Sequence, residues 1–174
     1  EGPGIIEHFR FGIGAARQTS LRVADLTLDG NQLGVSADTV IAKRVTVKNS
    51  EACGLVGSKL VRARNIDSHN NAGCGLGGTK LLGSEIQASD NLGMGILGSV
   101  IAFKHLTAEG NAREGVLCFG GGALKLVNSV VTTNLVDLSS ESKPQLRSTV
   151  CGTSNISPSS GGGSLGTWGV CAND

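Results

Sequence analysis

Asp67 and His69 lie two positions apart in a stretch where apolar and polar residues alternate, so a strand there turns a carboxylate and an imidazole to the same side. Lys48 stands 21 residues before His69, an interval that recurs through the chain. Such a trio could do proton-transfer chemistry. The imidazole takes or gives a proton, the carboxylate holds its ring, and the ammonium steadies negative charge as it develops. Asp67, His69 and Lys48 are therefore the candidate catalytic residues, although no nucleophile or metal cluster completes them. Glycoside cleavage by paired acids asks for two carboxyl groups about 5 to 9.5 Å apart. The outward positions here read Thr27, Thr46, Asp67, Gln87, Thr107 and, beside them, Asp29, Lys48, His69, Ser89, Glu109, which do not supply that pair.

Basic residues form a longer pattern. Lys43, Arg64 and Lys104 recur at one position of the repeat, Arg44 and Arg62 stand beside them, and Arg22 lies one interval earlier. This stripe is the candidate ligand-binding set, because Lys and Arg aligned along a surface make charge-assisted contacts with uronate or sulfate groups of an anionic glycan. The same stripe also reads as a solvated corner balanced by Glu85. Aromatic residues, which stack on sugar rings, are only 3% of the chain, so a sugar contact here would be chiefly polar. Asn155-Ile156-Ser157 fits an N-glycosylation sequon.

Cys151 and Cys171 bracket a Ser/Gly-rich loop containing Pro158 and Gly161-Gly162-Gly163, with Trp168 just before the second cysteine. The loop has little apolar surface to hold it down, and a disulfide closing it would add on the order of 3 kcal/mol. A Cys151–Cys171 bridge is expected, with Trp168 folded over the last coil, and a disulfide places a protein outside the cytosol. Cys118 shares a small-residue position with Ala37, Gly57, Gly78 and Gly98 and reads as an inert buried thiol. Cys53 and Cys74, 21 residues apart, share a position with Leu33 and Met94. Adjacent coils bring such Cα atoms within disulfide range, but the apolar partners favour two buried thiols over a bridge. Neither Cys53 nor Cys74 has a His, Asp or third Cys at a convincing ligand position, so no metal is expected, and no other cofactor is expected either.

What must position all these groups is a repeat. Leu21, Val40, Val61, Leu81 and Ile101 recur every 19 to 21 residues. With them align Val23/Ala42/Ala63/Gly83/Phe103, Leu26/Val45/Ile66/Ile86/Leu106, Leu28/Val47/Ser68/Ala88/Ala108 and Val35/Leu55/Leu76/Ile96/Val116. Within a segment the apolar residues fall two apart, the strand period. One such segment cannot bury its apolar face alone, but stacked copies can. Two mostly polar residues, from Ala24-Asp25 to Lys104-His105, separate the second and third columns and mark a sharp outward bend. Asn31, Ser50, Asn71, Asn91 and Asn111 form a near-continuous column whose amides can satisfy turn groups and bond from coil to coil. Gly34, Gly54, Gly75, Gly95 and Gly115 open the third strand, where a missing side chain suits a tight turn. Three short strands per coil give an all-β, right-handed parallel β-helix solenoid of about six or seven coils with capped ends, the hand following the usual sense of parallel connections.

The expected organisation is an N-terminal cap or partial coil over residues 1–18, the β-helix over 19–140, and a disulfide-closed C-terminal cap or tail over 141–174. Ile5, Ile6, Phe9, Phe11 and Ile13 suit a cap strand, a short helix or the remnant of a coil. Gly120-Gly121-Gly122 marks a register slip, a last strand falls near Leu135–Leu138, and after Glu141 no period is visible. A net charge of +1 gives no bulk attraction to nucleic acid or membrane, and no apolar run approaches the roughly 20 residues that span a bilayer. Glu1-Gly2-Pro3-Gly4 reads as a mature or trimmed start.

The Asn and Gly columns resemble those of the right-handed parallel β-helix repeat proteins of the pectate-lyase-like superfamily. The ending Thr149-Val150-Cys151-Gly152-Thr153-Ser154, with Trp168-Gly169-Val170-Cys171-Ala172-Asn173-Asp174, resembles a secreted bacterial group with cysteine-closed tails. The resemblance implies a β-helix from about Leu21 to Leu138. Lyases of that superfamily combine an acidic calcium cluster with a catalytic Arg or Lys, and polygalacturonases use clustered Asp residues. Neither arrangement maps onto Asp67, Asp29 or the basic stripe. The function expected is therefore a secreted or cell-surface structural or carbohydrate-interaction module without catalysis. The alternative is a polysaccharide lyase or related enzyme acting on an anionic polysaccharide through Asp67 and His69. Ice binding fits less well, because the outward columns are chemically mixed.

Overall fold

The computed structural model describes residues 4–14, 19–157 and 164–174. Its strands are β1 (Gly4–Glu7), β2 (Phe11–Gly14), β3 (Ser20–Asp29), β4 (Leu33–Lys48), β5 (Leu55–His69), β6 (Leu76–Ser89) and β7 (Ile96–Glu109). There follow β8 (Glu114–Cys118), β9 (Leu124–Val127), β10 (Val130–Thr132), β11 (Val136–Ser140), β12 (Gln145–Arg147), β13 (Val150–Cys151) and β14 (Ser154–Ile156). The strand pairs are parallel, and the chain winds into a β-solenoid of about seven turns with no helix among the described residues. Val45 pairs with Ile66 and Ile66 with Ile86, each no more than 2% exposed, so the apolar columns read from the repeat are the core.

Two columns of left-handed residues make the corners. Asp25, Arg44, Asn65, Glu85 and His105 all have φ between 52° and 59°, which puts the sharp bend at the second residue of each polar pair. Asn49, Asn70 and Asp90 do the same at the next corner, with Gly30 and Gly110 in that register. The residue after each of these belongs to the Asn ladder. Asn91 Oδ1 accepts from the backbone N–H of Asn71 at 3.1 Å and from its side-chain amide at 2.9 Å, while Asn91 Nδ2 donates to Ser68 O and to Asn111 Oδ1. Asn111 and Asn134 repeat the pattern, so every ladder Asn closes the turn of the coil before it.

The glycine column has a different cause from a tight turn. The left-handed φ values fall elsewhere, and a Cβ at Gly75 would sit 2.7 Å from Gly95 O and 3.1 Å from the Asn91 amide. Glycine there makes room for the ladder amide and for the next coil's carbonyl. Ser50 interrupts the ladder: its backbone N–H reaches Asn71 Oδ1 at 3.0 Å, but its own buried hydroxyl has no partner. Ser50→Asn should join Asn31 to Asn71 and raise stability by about 1 kcal/mol, seen as a higher urea midpoint. A lower midpoint would mean that the amide does not fit.

Beyond Gly122 the columns continue. Leu124 pairs with Ile101 and Val131 with Ala108 at a spacing of 23, so the glycine run is an insertion that leaves the register of the stack intact. The segment after Glu141, where the sequence shows no period, adds β12, β13 and β14 onto β9, β10 and β11. The ladder ends there on carboxylates. Asp137, 3% exposed, accepts from Asn134 through Oδ1 and from the N–H groups of Gly152 and Thr153 through Oδ2. Asp174 likewise accepts from Ser154, Val170 and Cys171.

Cys151 and Cys171 are bridged, with Cα atoms 5.0 Å apart, and Trp168 Nε1 donates to Ser140 O at 3.2 Å, so the tail lies against the last coils. The intervening Pro158 and Gly161-Gly162-Gly163 lie outside the described residues. Cys53 and Cys74 are also bridged, at a Cα separation of 4.4 Å, against the expectation of two thiols. Their column lies at the edge of the core: Cys74 is buried, but Leu33, Cys53 and Met94 are half-buried, and Glu114 follows Met94 in the same register. Apolar neighbours at a rim position leave the sulfurs free to meet. Cys118 is the free cysteine, buried as expected, and burial followed by the nearby Glu141 charge pushes its thiol up to about 11.

Candidate anion-binding groove and the Asp67–His69 pair

The first strand of each coil alternates inward and outward, and its outward residues form two parallel columns on one face. One runs Arg22, Ile41, Arg62, Leu82, Ala102, Lys125, and the other Ala24, Lys43, Arg64, Ser84, Lys104, Val127. Between them lies an open groove of about 440 Å³. Its floor is Ala42, Ala63 and Gly83, its apolar wall includes Ile41 and Leu82, and Lys43, Arg62 and Arg64 supply its charge. A second groove of about 240 Å³ shares Gly83 and adds Lys104 and Lys125. Small inward residues thus make a shallow trough along which bases recur. Gly83 is required by backbone approach as well, because a Cβ there would run into the Ala63 carbonyl oxygen.

Outside the trough Arg44, Lys48 and Lys59 meet acids one coil away and Arg113 meets its sequence neighbour, whereas Arg10, Lys80, Lys143 and Arg147 are in no ion pair among the described residues. Arg44 makes a bidentate bond to Asp25, holding that carboxyl below its ordinary value and raising the guanidinium in return. Lys59 meets Asp38 at 2.9 Å and Arg113 meets Glu114 at 3.6 Å. In the trough only Arg64 has such a partner, Glu85 at 3.6 Å, and both side chains are largely exposed, so this pair holds little energy. Among the described residues Lys43, Arg62, Lys104 and Lys125 pair with no carboxylate. Of the stripe read from the sequence, Lys43, Arg62, Arg64 and Lys104 come together. Arg44 is drawn out to the corner by Asp25, and Arg22 lies in the same column beyond the groove lining. Lys125 escapes the repeat because it follows the Gly120–Gly122 insertion, and subtracting three residues from its position reveals it.

The second strand carries the other set. His69 Nδ1 lies 2.9 Å from Asp67 Oδ1, as expected for two residues on one outward strand face. Lys48 pairs with His69 in register, yet its ammonium goes to Asp29 at 3.2 Å. Asp29 in turn is held below its ordinary value, first by the Asn49 amide and then by Lys48. Ser89, in register with His69, is buried. The arrangement can orient an imidazole and hold a proton, but it brings no second carboxylate beside Asp67 and detains the amine elsewhere. No group of three or more His, Cys, Asp or Glu able to hold a metal ion occurs among the described residues. No helix among them is long and apolar enough to cross a membrane. The chain matches no family, no curated protein and no solved structure with which it was compared.

Proposed function

We propose that this solenoid is a secreted or surface-associated, non-catalytic module that holds an anionic polysaccharide or cell-surface glycan in the basic trough, on the general plan of the pectate-lyase-like superfamily. The observation that carries the reading is the run of Lys43, Arg62, Lys104 and Lys125 without acidic partners, along a trough whose apolar floor suits the flat face of a sugar ring. Two disulfides are compatible with an extracellular setting. Parallel coils lie about 4.8 Å apart, and every coil of the trough except that of Leu82 and Ser84 carries a base, so a linear polyanion gains contacts as it lengthens.

Pectate, alginate and sulfated glycans should bind reversibly, and added salt should weaken the binding. The Lys43→Ala, Arg62→Ala, Arg64→Ala triple variant should bind at least about tenfold more weakly, a loss of roughly 1.4 kcal/mol or more. Glu85→Asn should bind more tightly, because it removes the acid that pairs with Arg64 at the trough's edge and suits the left-handed backbone there. Equal binding by all three proteins would sink the proposal. The second reading, a polysaccharide lyase, is favoured by the Asp67–His69 bond. It predicts unsaturated sugar products, assayed with calcium and with chelator, that vanish in Asp67→Ala and His69→Ala.

A further inference from the structure

The bases of the trough are not evenly shared among its coils. Lys43, Arg62 and Arg64 stand on two neighbouring coils, Lys104 and Lys125 on two others, and the coil between them presents Leu82 and Ser84. The two grooves meet there, at Gly83, which lines both. This middle coil has no charge on its outward strand face, yet its two sides differ in kind. On one side Leu82 is followed by Ala102 in the same column, an apolar strip. On the other, Ser84 stands between Arg64 of the coil before and Lys104 of the coil after, each one step away in register.

Ser84 is half-buried, and its hydroxyl has no partner among the described residues. Long side chains rooted two coil steps apart, about 10 Å, reach over it from both sides. Lys104 is in no ion pair among the described residues, and Arg64 has only its contact to Glu85 at 3.6 Å. Both partners of that contact are largely exposed, so exchanging Glu85 for another anion costs Arg64 little.

Two cations at the sides and a hydroxyl beneath make a place for an anion, and their number sorts anions by shape. A carboxylate is flat and has two oxygens, which the flanking bases engage, so the hydroxyl beneath keeps its water. A sulfate ester is pyramidal and has three terminal oxygens. Two meet the bases while the third accepts from the Ser84 hydroxyl. Leu82 and Ala102 then take the apolar face of the ring that carries the ester.

We propose that Arg64, Ser84 and Lys104 form a sulfate-ester subsite at the middle of the trough, so that the glycan it selects is a sulfated one, with Ser84 as the residue that sets the preference. The subsite rests on the anion-binding reading of the trough and adds to it a discrimination that charge alone does not give.

Titration calorimetry with dextran sulfate and with carboxymethyl dextran, matched in length and in charge per sugar, tests this, because the two carry different anionic groups on one backbone. Dextran sulfate should bind at least about fivefold more tightly, the share of one hydrogen bond to a charged group. Ser84→Ala should remove most of that preference by weakening dextran sulfate, while carboxymethyl dextran binds as before and the thermal midpoint does not move. Lys104→Ala should weaken both polymers. Equal binding of the two polymers by the unaltered chain, or a preference that survives Ser84→Ala, would overturn the subsite and leave the basic trough standing. If neither polymer bound even at low salt, the anion-binding reading would fall and the subsite with it.

Discussion

Asn91→Ala should cost roughly 3 to 5 kcal/mol of unfolding free energy, the largest loss expected from any single side chain outside the apolar columns. Asn91 is 1% exposed and joins two coils at once. Truncation strands the Asn71 backbone N–H, one proton of the Asn71 amide and the Ser68 carbonyl, all in a buried turn. Each buried polar group left without a partner costs about 1 to 3 kcal/mol, which water entering the vacated space offsets in part. Urea unfolding gives the test, with Leu92→Ala beside it as the control: Leu92 is 69% exposed, and its loss should stay within about 0.5 kcal/mol. If the two variants unfolded at the same midpoint, the ladder would be ornament and the apolar columns alone would hold the coils.

The second large effect belongs to the tail. Cys171→Ser opens a disulfide that ties residues 20 apart, and should release the C-terminal segment at a cost on the order of 3 kcal/mol. Trp168 is the chain's one tryptophan, so its fluorescence reports this segment alone, through the loss of its bond to Ser140 O. In the variant that signal should shift at lower denaturant than the circular dichroism of the stack. Asp174 adds a pH dependence. Burial alone would raise its carboxyl, but the Ser154 hydroxyl and the N–H groups of Cys171, Ser154 and Val170 outweigh that and hold it below its ordinary 3.8. Its contribution is then complete above the ordinary value and lost as pH falls through the lowered one. Acid should therefore detach Trp168 in the reduced protein before it does so in the bridged one. Coincident transitions in both would show that the tail has no separate stability.

The columns are legible in the sequence because residues at one depth of a stacked coil meet the same neighbours and must share a chemistry. Val45, Ile66 and Ile86 show this for the core, and Asn71, Asn91 and Asn111 for the ladder. Three features escape the pattern for identifiable reasons. Asn134 and Lys125 follow an insertion that moves them without changing their place in the stack. The coil after Glu141 repeats columns with few apolar residues, since Leu146 and Cys151 alone carry its inward face. The Cys53–Cys74 bridge depends on whether a column lies at the rim or in the core, and apolar character does not decide that. In the trough the residue types along the columns are readable, but which bases lack acids depends on side-chain reach across a coil step. Arg44 and Lys43 are neighbours in sequence and differ in just this respect.

The ladder also has a direction in time. Each Asn closes the turn of the coil that precedes it, so a newly made coil has unmet polar groups until its successor docks, and docking completes the older coil. A ribosome delivers the coils in that same order, the earlier part of a chain emerging first. Growth from the N-terminal side thus adds one finished turn at a time, with at most one turn awaiting closure. At Asp137 and Asp174 carboxylates take over from the ladder amides: a side-chain amide both accepts and donates hydrogen bonds, whereas an ionised carboxylate only accepts.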